Sequence, residues 1–457
     1  MNAQIFKSHR LWVLDGIFLL SVSFVPVYAV AQSRPPIVPL NLSYLRINFI
    51  QPATRQAALG GAFIGAAQDV TAAAINPAGL AYLRSVEATM HQRLGHYEFD
   101  VNAGSRSNPG AQKTVTDHNF DQTFASVFLP LRRVSIALFH QAALDTHYDF
   151  ETPQFLSRDS DGSAAFTLGG LGNYAGRKVN FDLELVQDAW SVAFAISKNL
   201  SVGAAFRVSS LSFKLDEQIF LDPLVQDGQE PRPNSQETLY AVNTLNERNN
   251  RLSYSFGLMN NMLLDRLFLG AVVNLNPTYE LQGNIYFPPY QLGQNRLEAA
   301  TSPQPFKLSI PDSYGLGVYY LINSRLRFSF DLVHIEYSDL LSVENLDVAP
   351  GGNARDLTVA DATEVHAGLE WLFKVPEFGF TVPMRFGVYT NPGHQIHAAG
   401  NDIDLNNLYP AAGDRLHFSF GVGATVKSKI KLDTTMVVSA SGYEFWGSTQ
   451  LSVPVDY

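Results

Sequence analysis

Hydrophobic residues recur at every second position in segment after segment of this chain. Trp190, Val192, Phe194 and Ile196 alternate with Ser191, Ala193, Ala195 and Ser197. After Lys198-Asn199 the rhythm resumes with Leu200, Val202, Ala204, Phe206 and Val208. The cleanest run is Leu416, Phe418, Phe420, Val422, Ala424 and Val426, set against His417, Ser419, Gly421, Gly423 and Thr425. A period of two places successive side chains on opposite faces of a β-strand. Fourteen strands are predicted, near 85–97, 122–131, 134–146, 179–197, 200–215, 250–262, 266–286, 306–322, 325–338, 361–374, 382–391, 414–426, 430–441 and 445–457. Alternation is poor over 122–146, so the faces of those two strands stay open.

The gaps between strands alternate in length. Short turns (131–133, 198–199, 263–265, 323–324 and 427–429) separate long polar stretches (98–121, 147–178, 216–249, 287–305, 339–360 and 392–413). Short turns at one end and long loops at the other characterise outer-membrane barrels. Tilted strands of ~9–11 residues suffice to cross a bilayer, and an even number returns both ends of the barrel to one side. The apolar face would then meet lipid. The opposite face carries Arg207, Arg327, Asp331, His366, Glu370, Arg385, His417, Lys431 and Asp433. Such a set is costly in the dry core of a soluble sandwich and ordinary in a polar lumen. The fold class expected is all-β, a transmembrane antiparallel β-barrel of about fourteen strands.

One irregularity stands out. Over 179–185 the apolar residues are odd-numbered, and from Trp190 they are even-numbered. The following strand switches the other way, between Val208 and Leu211. Two facing switches predict either β-bulges and a kink in strands four and five, or two strands leaving the bilayer at that level.

The first 31 residues read as an address. Lys7 and Arg10 precede an apolar stretch that runs to Val30, and Ala29-Val30-Ala31 is an A-x-A cleavage site. Pro26 and the short length argue against a membrane anchor. The expected layout is a signal peptide over 1–31, an N-terminal segment over 32–84 and the barrel over 85–457. Composition narrows the chemistry. Hydrophobic residues make up 46% and charged residues 16%, with a formal net charge of -10, which opposes nucleic-acid binding. The absence of cysteine removes disulfides, thiolate metal sites and cysteine nucleophiles.

Residues 56–83 are not strand-like, and half of them are Ala or Gly. Arg55, Leu59-Gly60-Gly61-Ala62-Phe63, Asp69 and Asn76-Pro77-Ala78-Gly79-Leu80 resemble the N-terminal hatch motif of the FadL/TodX family of hydrophobic-compound transporters. Ile310-Pro311-Asp312-Ser313-Tyr314-Gly315-Leu316-Gly317, Leu332 to Ser338, and Gly413-Asp414-Arg415-Leu416 resemble that family's later strands. The resemblance implies a fourteen-stranded outer-membrane barrel plugged by residues 32–84, with Asn76, Pro77, Ala78 and Gly79 forming the hatch turn. It also implies capture of a fatty acid or another hydrophobic small molecule in a groove between extracellular loops, here 216–249 and 287–305. The ligand would pass to an apolar pocket and leave past the hatch or through a gap at a strand kink. The groove residues would be Phe220, Leu221, Leu224, Tyr240, Phe287 and Tyr290, which could instead pack on one another as a lid. The motif also occurs in PorV-type barrels that serve protein secretion, so a structural or secretion-partner role is the alternative.

Arg207, Arg327 and Arg385 are the lumen cations that a carboxylate ligand could use, unless Asp331 or Glu370 takes them. His394-Gln395-Ile396-His397, Asn401-Asp402-Ile403-Asp404 and Asp159-Ser160-Asp161-Gly162 read as solvated loops, so neither metal nor cofactor is expected. No G-x-S-x-G occurs; the protein is read as a non-enzyme, with an outer-membrane hydrolase a remote alternative. The C-terminal alternation up to Tyr457 resembles the signal read by the barrel-insertion machinery. Membrane lipid completes the expected partners, and a monomer is expected.

Overall fold

The structure, a computed structural model, describes residue 45 and residues 47–102, 111–157, 167–168, 171–222, 231–263, 265–292, 295–341, 357–375, 377, 379–400, 410–427 and 429–454. The expected signal peptide with its cleavage point near Ala31, the start of the 32–84 segment, Leu224, both half-motifs near 159 and 401, and Tyr457 lie outside the described residues.

Sixteen strands form the main sheet. They are β1 (Ser85–Asn102), β2 (Gln112–Leu131), β3 (Val134–Thr152), β4 (Gly176–Ala195), β5 (Leu200–Phe220), β6 (Leu239–Met262), β7 (Leu267–Leu275), β8 (Thr278–Phe287), β9 (Ala300–Ser309), β10 (Ser313–Leu321), β11 (Leu326–Ile335), β12 (Ala362–Val375), β13 (Phe380–Asn391), β14 (Arg415–Val426), β15 (Ile430–Ser439) and β16 (Gly442–Pro454). Fourteen of them close into an antiparallel barrel, all but β8 and β9. β16 pairs back onto β1, from Ser85 opposite Pro454 to Tyr97 opposite Gly442. Each segment predicted from alternation overlaps one barrel strand, and several of those strands run well beyond the predicted bounds.

β8 and β9 continue β7 and β10 beyond the barrel rim. The breaks fall at Asn276-Pro277 and Ile310-Pro311-Asp312, where proline removes a ladder donor. Together β8 and β9 form a hairpin in which Pro303 and Pro305 face Asn284 and Gln282. With no N–H to offer, these prolines leave the free edge of β9 short of donors, which discourages further strand addition.

The wall has two zones of opposite polarity. In the lower zone large apolar residues face outward, as at Trp190, Phe194, Phe206, Phe256 and Phe418, all exposed. In the upper zone the inward positions are apolar and buried, as at Phe181, Leu183, Leu185, Leu211 and Phe213. Outward positions there are polar: Asn180, Glu184, Lys214 and Asp216. This inversion explains the switch of phase in strands four and five. The β4–β5 ladder runs without a register shift from Gly176 opposite Phe220 to Ala195 opposite Ser201, with Trp190 opposite Phe206. The expectation of a kink there is corrected: both strands leave the bilayer, and the same face changes its solvent from lipid to water.

Irregularities lie instead in the first three strands. The β1–β2 ladder shifts between His91 and Arg93, where Phe124 and Asp121 are their partners. The β3–β4 ladder shifts between Ala142 and Leu144. β2 and β3 pair only from Phe124 opposite Gln141 down to Leu131 opposite Val134. Above that point the two strands part. Bulges reverse the inward parity of each strand, which is why alternation over 122–146 reads poorly.

Candidate functional site

Residues 47–83, the main described part of the segment expected to form the hatch and called the hatch below, lie within the barrel, most of them in its lower zone. α1 (Thr54–Ala58), α2 (Ala72–Ile75) and a 3-10 turn (Pro77–Tyr82) are joined by buried, Ala- and Gly-rich chain. Helices this short have little stability of their own, so the wall must hold them. Asn76 has the extended backbone that a following proline imposes. Its side chain accepts from the Ala78 amide (3.2 Å) and donates to the carbonyls of Ile64 (3.0 Å) and Leu258 (3.3 Å). Asn76 thus ties the turn both to the rest of the hatch and to β6.

Inward-facing glycines let hatch backbone lie directly on the wall. A Cβ at Gly203 of β5 would meet the Ala78 nitrogen at 2.4 Å, and one at Gly387 of β13 would meet the Gly60 nitrogen at 2.0 Å. Any side chain at either position would push the hatch away from the wall. Polar side chains finish the seal. Asp331 of β11 accepts from the Phe63 (2.5 Å) and Ile64 (2.7 Å) amides. Ser419 accepts from Gly60 and donates to Ala58, each at 3.1 Å. Ser201 donates to Ala78 O at 2.9 Å.

A buried ionic cluster fastens the same segment. Arg55 donates to both oxygens of Glu370 (3.1 and 3.3 Å) and to Asp69 (3.2 Å). Glu370 also receives Arg327 (3.0 Å) and Arg385 (2.8 Å), and Arg385 reaches Asp433 (2.5 Å). Burial acts to raise the Asp69 carboxyl, but the Arg55 guanidinium, with weaker help from Lys431 and Thr71, outweighs it and holds Asp69 below the usual range. Of the three lumen arginines singled out from sequence, Arg327 and Arg385 are therefore committed to Glu370.

Arg207 is different. It is only 4% exposed. One Nη donates to the Ala74 carbonyl of the hatch at 3.2 Å, while Nε has no partner. No carboxylate pairs with it among the described residues. It borders a cavity of about 330 Å³ lying on the hatch, near the lower end of the range usual for ligand sites, roughly 300–1,000 Å³. Ala74, Ile75 and Ile64 form part of the floor, and Ile50 and Tyr148 part of the upper lining. The upper barrel holds an apolar cluster in which Tyr148 stacks on Phe181 at 4.6 Å and Phe181 meets Phe213 edge-on at 5.2 Å. Leu45 and Ile47 are buried in that cluster.

The cavity also borders the place where β2 and β3 part, and Asp117, Gln141, Ala143 and Asp145 line it there. Side chains bridge this seam where the backbone ladder does not. Asn119 Nδ2 donates to the carbonyl and carboxylate of Asp145, both at 3.2 Å, and the Ile50 amide donates to the Ala143 carbonyl at 2.9 Å. Neither the seam nor the anchoring role of Asp331 was readable as such. The available signal was the broken alternation for the first and an inward acid among wall glycines for the second.

The loop residues are placed as follows. Phe220 and Leu221 are buried. Tyr240 and Phe287 are half-buried, meet edge-on at 6.0 Å, and pack against Ile219, Ala241 and Ile285. Tyr290 begins a short strand outside the barrel, and its side chain lies outside the described residues. His394 stacks on Tyr337 at 4.1 Å. His394 and His397 bond to the loop carbonyls of Pro392 and Gln395.

The family described as outer membrane protein transport protein (OMPP1/FadL/TodX) matches residues 49–360 by its model. The chain belongs to this family. It is thus an outer-membrane β-barrel of a family that transports hydrophobic compounds. Solved structures support the fold. A FadL homologue from Pseudomonas aeruginosa is similar with a TM-score of 0.59 at 15% identity, covering 89% of this chain and 99% of that one. The CymD monoaromatic hydrocarbon channel gives 0.55 at 12% identity, covering 90% and 100%. The toluene transporter TbuX of Ralstonia pickettii gives 0.52 at 13%, covering 89% and 99%. No curated protein matches the chain by sequence. The barrel of this FadL/TodX member therefore conforms to its family.

Proposed function

We propose that this FadL/TodX member carries amphipathic hydrophobic molecules with an anionic end, of the long-chain fatty-acid kind. The ligand is captured by the loops around Phe220, Leu221, Tyr240 and Phe287. Its apolar body follows the upper lumen, and its carboxylate stops at Arg207. From the cavity it leaves between β2 and β3, the place where the wall lacks a backbone ladder. The observation that carries this reading is Arg207: a buried guanidinium without a counter-ion is costly, and it sits where an apolar chamber ends. A neutral aromatic hydrocarbon, the cargo named for the CymD and TbuX channels, would leave that charge unmet.

The test compares a long-chain fatty acid with the alcohol of equal length, binding to purified protein. A charge-assisted hydrogen bond contributes about 1.5–3 kcal/mol, so the acid should bind roughly tenfold to a hundredfold tighter than the alcohol. Arg207→Leu should erase that preference and Arg207→Lys keep part of it. Equal binding of acid and alcohol by the natural protein would reject the anionic class.

A further inference from the structure

We propose that His96 and His118 form a binding site for a divalent transition-metal ion on the outer surface of the barrel, above the lipid-facing zone. The β1–β2 register sets the two residues directly opposite each other. Their neighbours one step down on the same outer face, Leu94 and Phe120, also pair and are 50% and 68% exposed. The histidines therefore stand just beyond the apolar belt, at the level where outward positions become polar.

The two Nδ1 atoms are 3.2 Å apart, with ring centroids at 4.7 Å. Zinc binds imidazole nitrogen at ~2.0–2.1 Å, and at a tetrahedral angle two such nitrogens lie ~3.3 Å apart. The pair already holds that spacing with no movement of backbone. Tyr443 of β16 stacks on His96 at 4.8 Å and 23°, fixing its ring plane. On the other side of the same ring, Glu98 Oε1 lies 3.6 Å from Nε2. At that distance the carboxylate lies beyond hydrogen-bond reach of the ring, and its charge favours a cation bound to the imidazole pair. The 3.2 Å contact between the rings holds one proton, carried on Nδ1 of one histidine. A metal ion would replace that proton, which moves to Nε2 of the ring that carried it.

Imidazole ligands suit zinc, copper(II) and nickel(II) rather than calcium or magnesium. No third ligating side chain completes the pair among the described residues, so water fills the remaining positions. Neither imidazole lines the cavity, although Glu98 and Tyr443 beside His96 border it. The site has a mechanical consequence. Above Phe124 the far edge of β2 has no strand partner among the described residues, and a bound ion would add a tie to the β1 ladder that alone holds it there.

The experiment uses the full mature chain, purified without a histidine tag, and copper(II) alone as the probe. Titration followed by electron paramagnetic resonance should show a single ion with nitrogen couplings from two imidazoles. His96→Gln and His118→Gln should each leave one coupling and weaken binding by about tenfold or more. His140→Gln and His334→Gln, at other outward positions, should change nothing. The heat-shift of a folded barrel in detergent gels checks each variant. Unchanged spectra and affinity in both His96→Gln and His118→Gln would overturn the site, as would loss of the signal in His140→Gln.

Discussion

Asp331 offers the sharpest test of how the hatch is held. Its carboxylate accepts the Phe63 and Ile64 amides, and Asp331, Phe63 and Ile64 are 0%, 0% and 5% exposed. Water cannot take over the lost bonds at so closed a place. Replacing Asp331 with Ala orphans two buried donors, each costing about 1–3 kcal/mol, so the hatch should loosen by roughly 2–6 kcal/mol. At 1.4 kcal/mol per decade, amide protection over residues 59–65 should fall by about 30-fold to 20,000-fold. The barrel closes through its own ladders and does not depend on this contact, so its heat-shift and the protection of β4 and β5 should persist. Asp331→Asn keeps an acceptor oxygen and should lose only the charge-assisted part. Hydrogen exchange read by mass spectrometry resolves both regions in one experiment. Unchanged protection over 59–65 in a folded Asp331→Ala barrel would refute the reasoning, because two orphaned amides could not then be costly.

Three further outcomes follow from other contacts. Asn76→Ala with Gly79→Val removes the three bonds of Asn76 and drives a Cβ toward the Ala67 carbonyl, 1.9 Å from its ideal position; the barrel should still show its heat-shift, while hydrophobic uptake falls or small hydrophilic solutes leak in liposome assays, and wild-type values for both would reject a hatch role for this segment. Phe287→Asp introduces a charge beside Tyr240 and Ile285 and should weaken fatty-acid binding by roughly tenfold to a hundredfold, about the 1.5–3 kcal/mol of a buried aromatic contact, with assembly intact; unchanged affinity would make the loop cluster a lid and not a capture surface. Asp69 is held below the ordinary carboxylate value by Arg55 against the opposing effect of burial, so its contribution is complete above about pH 4, the unfolded value, and is lost as pH falls through its lower folded value. Amide protection of residues 66–76 should accordingly be flat from pH 7 to about pH 5 and drop only in stronger acid, and a loss between pH 7 and 5 would contradict the pairing.

Alternation made the barrel legible because lipid rewards the same parity over a whole lower strand. It made the upper strands illegible for the same reason. Beyond the bilayer the apolar residues belong inside, so Phe181, Leu183 and Leu185 look out of phase with Trp190 although all lie on one unbroken ladder with β5. β2 and β6 begin at Gln112 and Leu239, well before the segments predicted for them, since their polar outer faces resemble loops. The lumen arginines illustrate the limit for sites. Period two places Arg207, Arg327 and Arg385 inward alike, but which of them shares Glu370 depends on register between strands far apart in sequence. Only the three-dimensional neighbourhood separates the unpaired cation from the two structural ones.

That separation bears on the route of the cargo. The hatch touches the wall through backbone at Gly203 and Gly387, through Asp331, Ser419 and Ser201, and through Arg55 at Glu370. To move it as a unit would break these contacts together, and several buried polar groups would be exposed in a narrow lumen without partners. Opening the β2–β3 seam breaks fewer bonds: those of Asn119 to Asp145 and of Lys113 to the Glu151 carbonyl, and those that tie the 50–52 backbone to Ala143 and Thr123. On the proposed reading, the less costly opening is therefore in the wall, at the height where outward positions change from apolar to polar. A molecule with its charged end at Arg207 would meet the seam from within the same cavity. On that reading its apolar body could enter lipid there without displacing the hatch, whose backbone lies directly on the wall at Gly203 and Gly387.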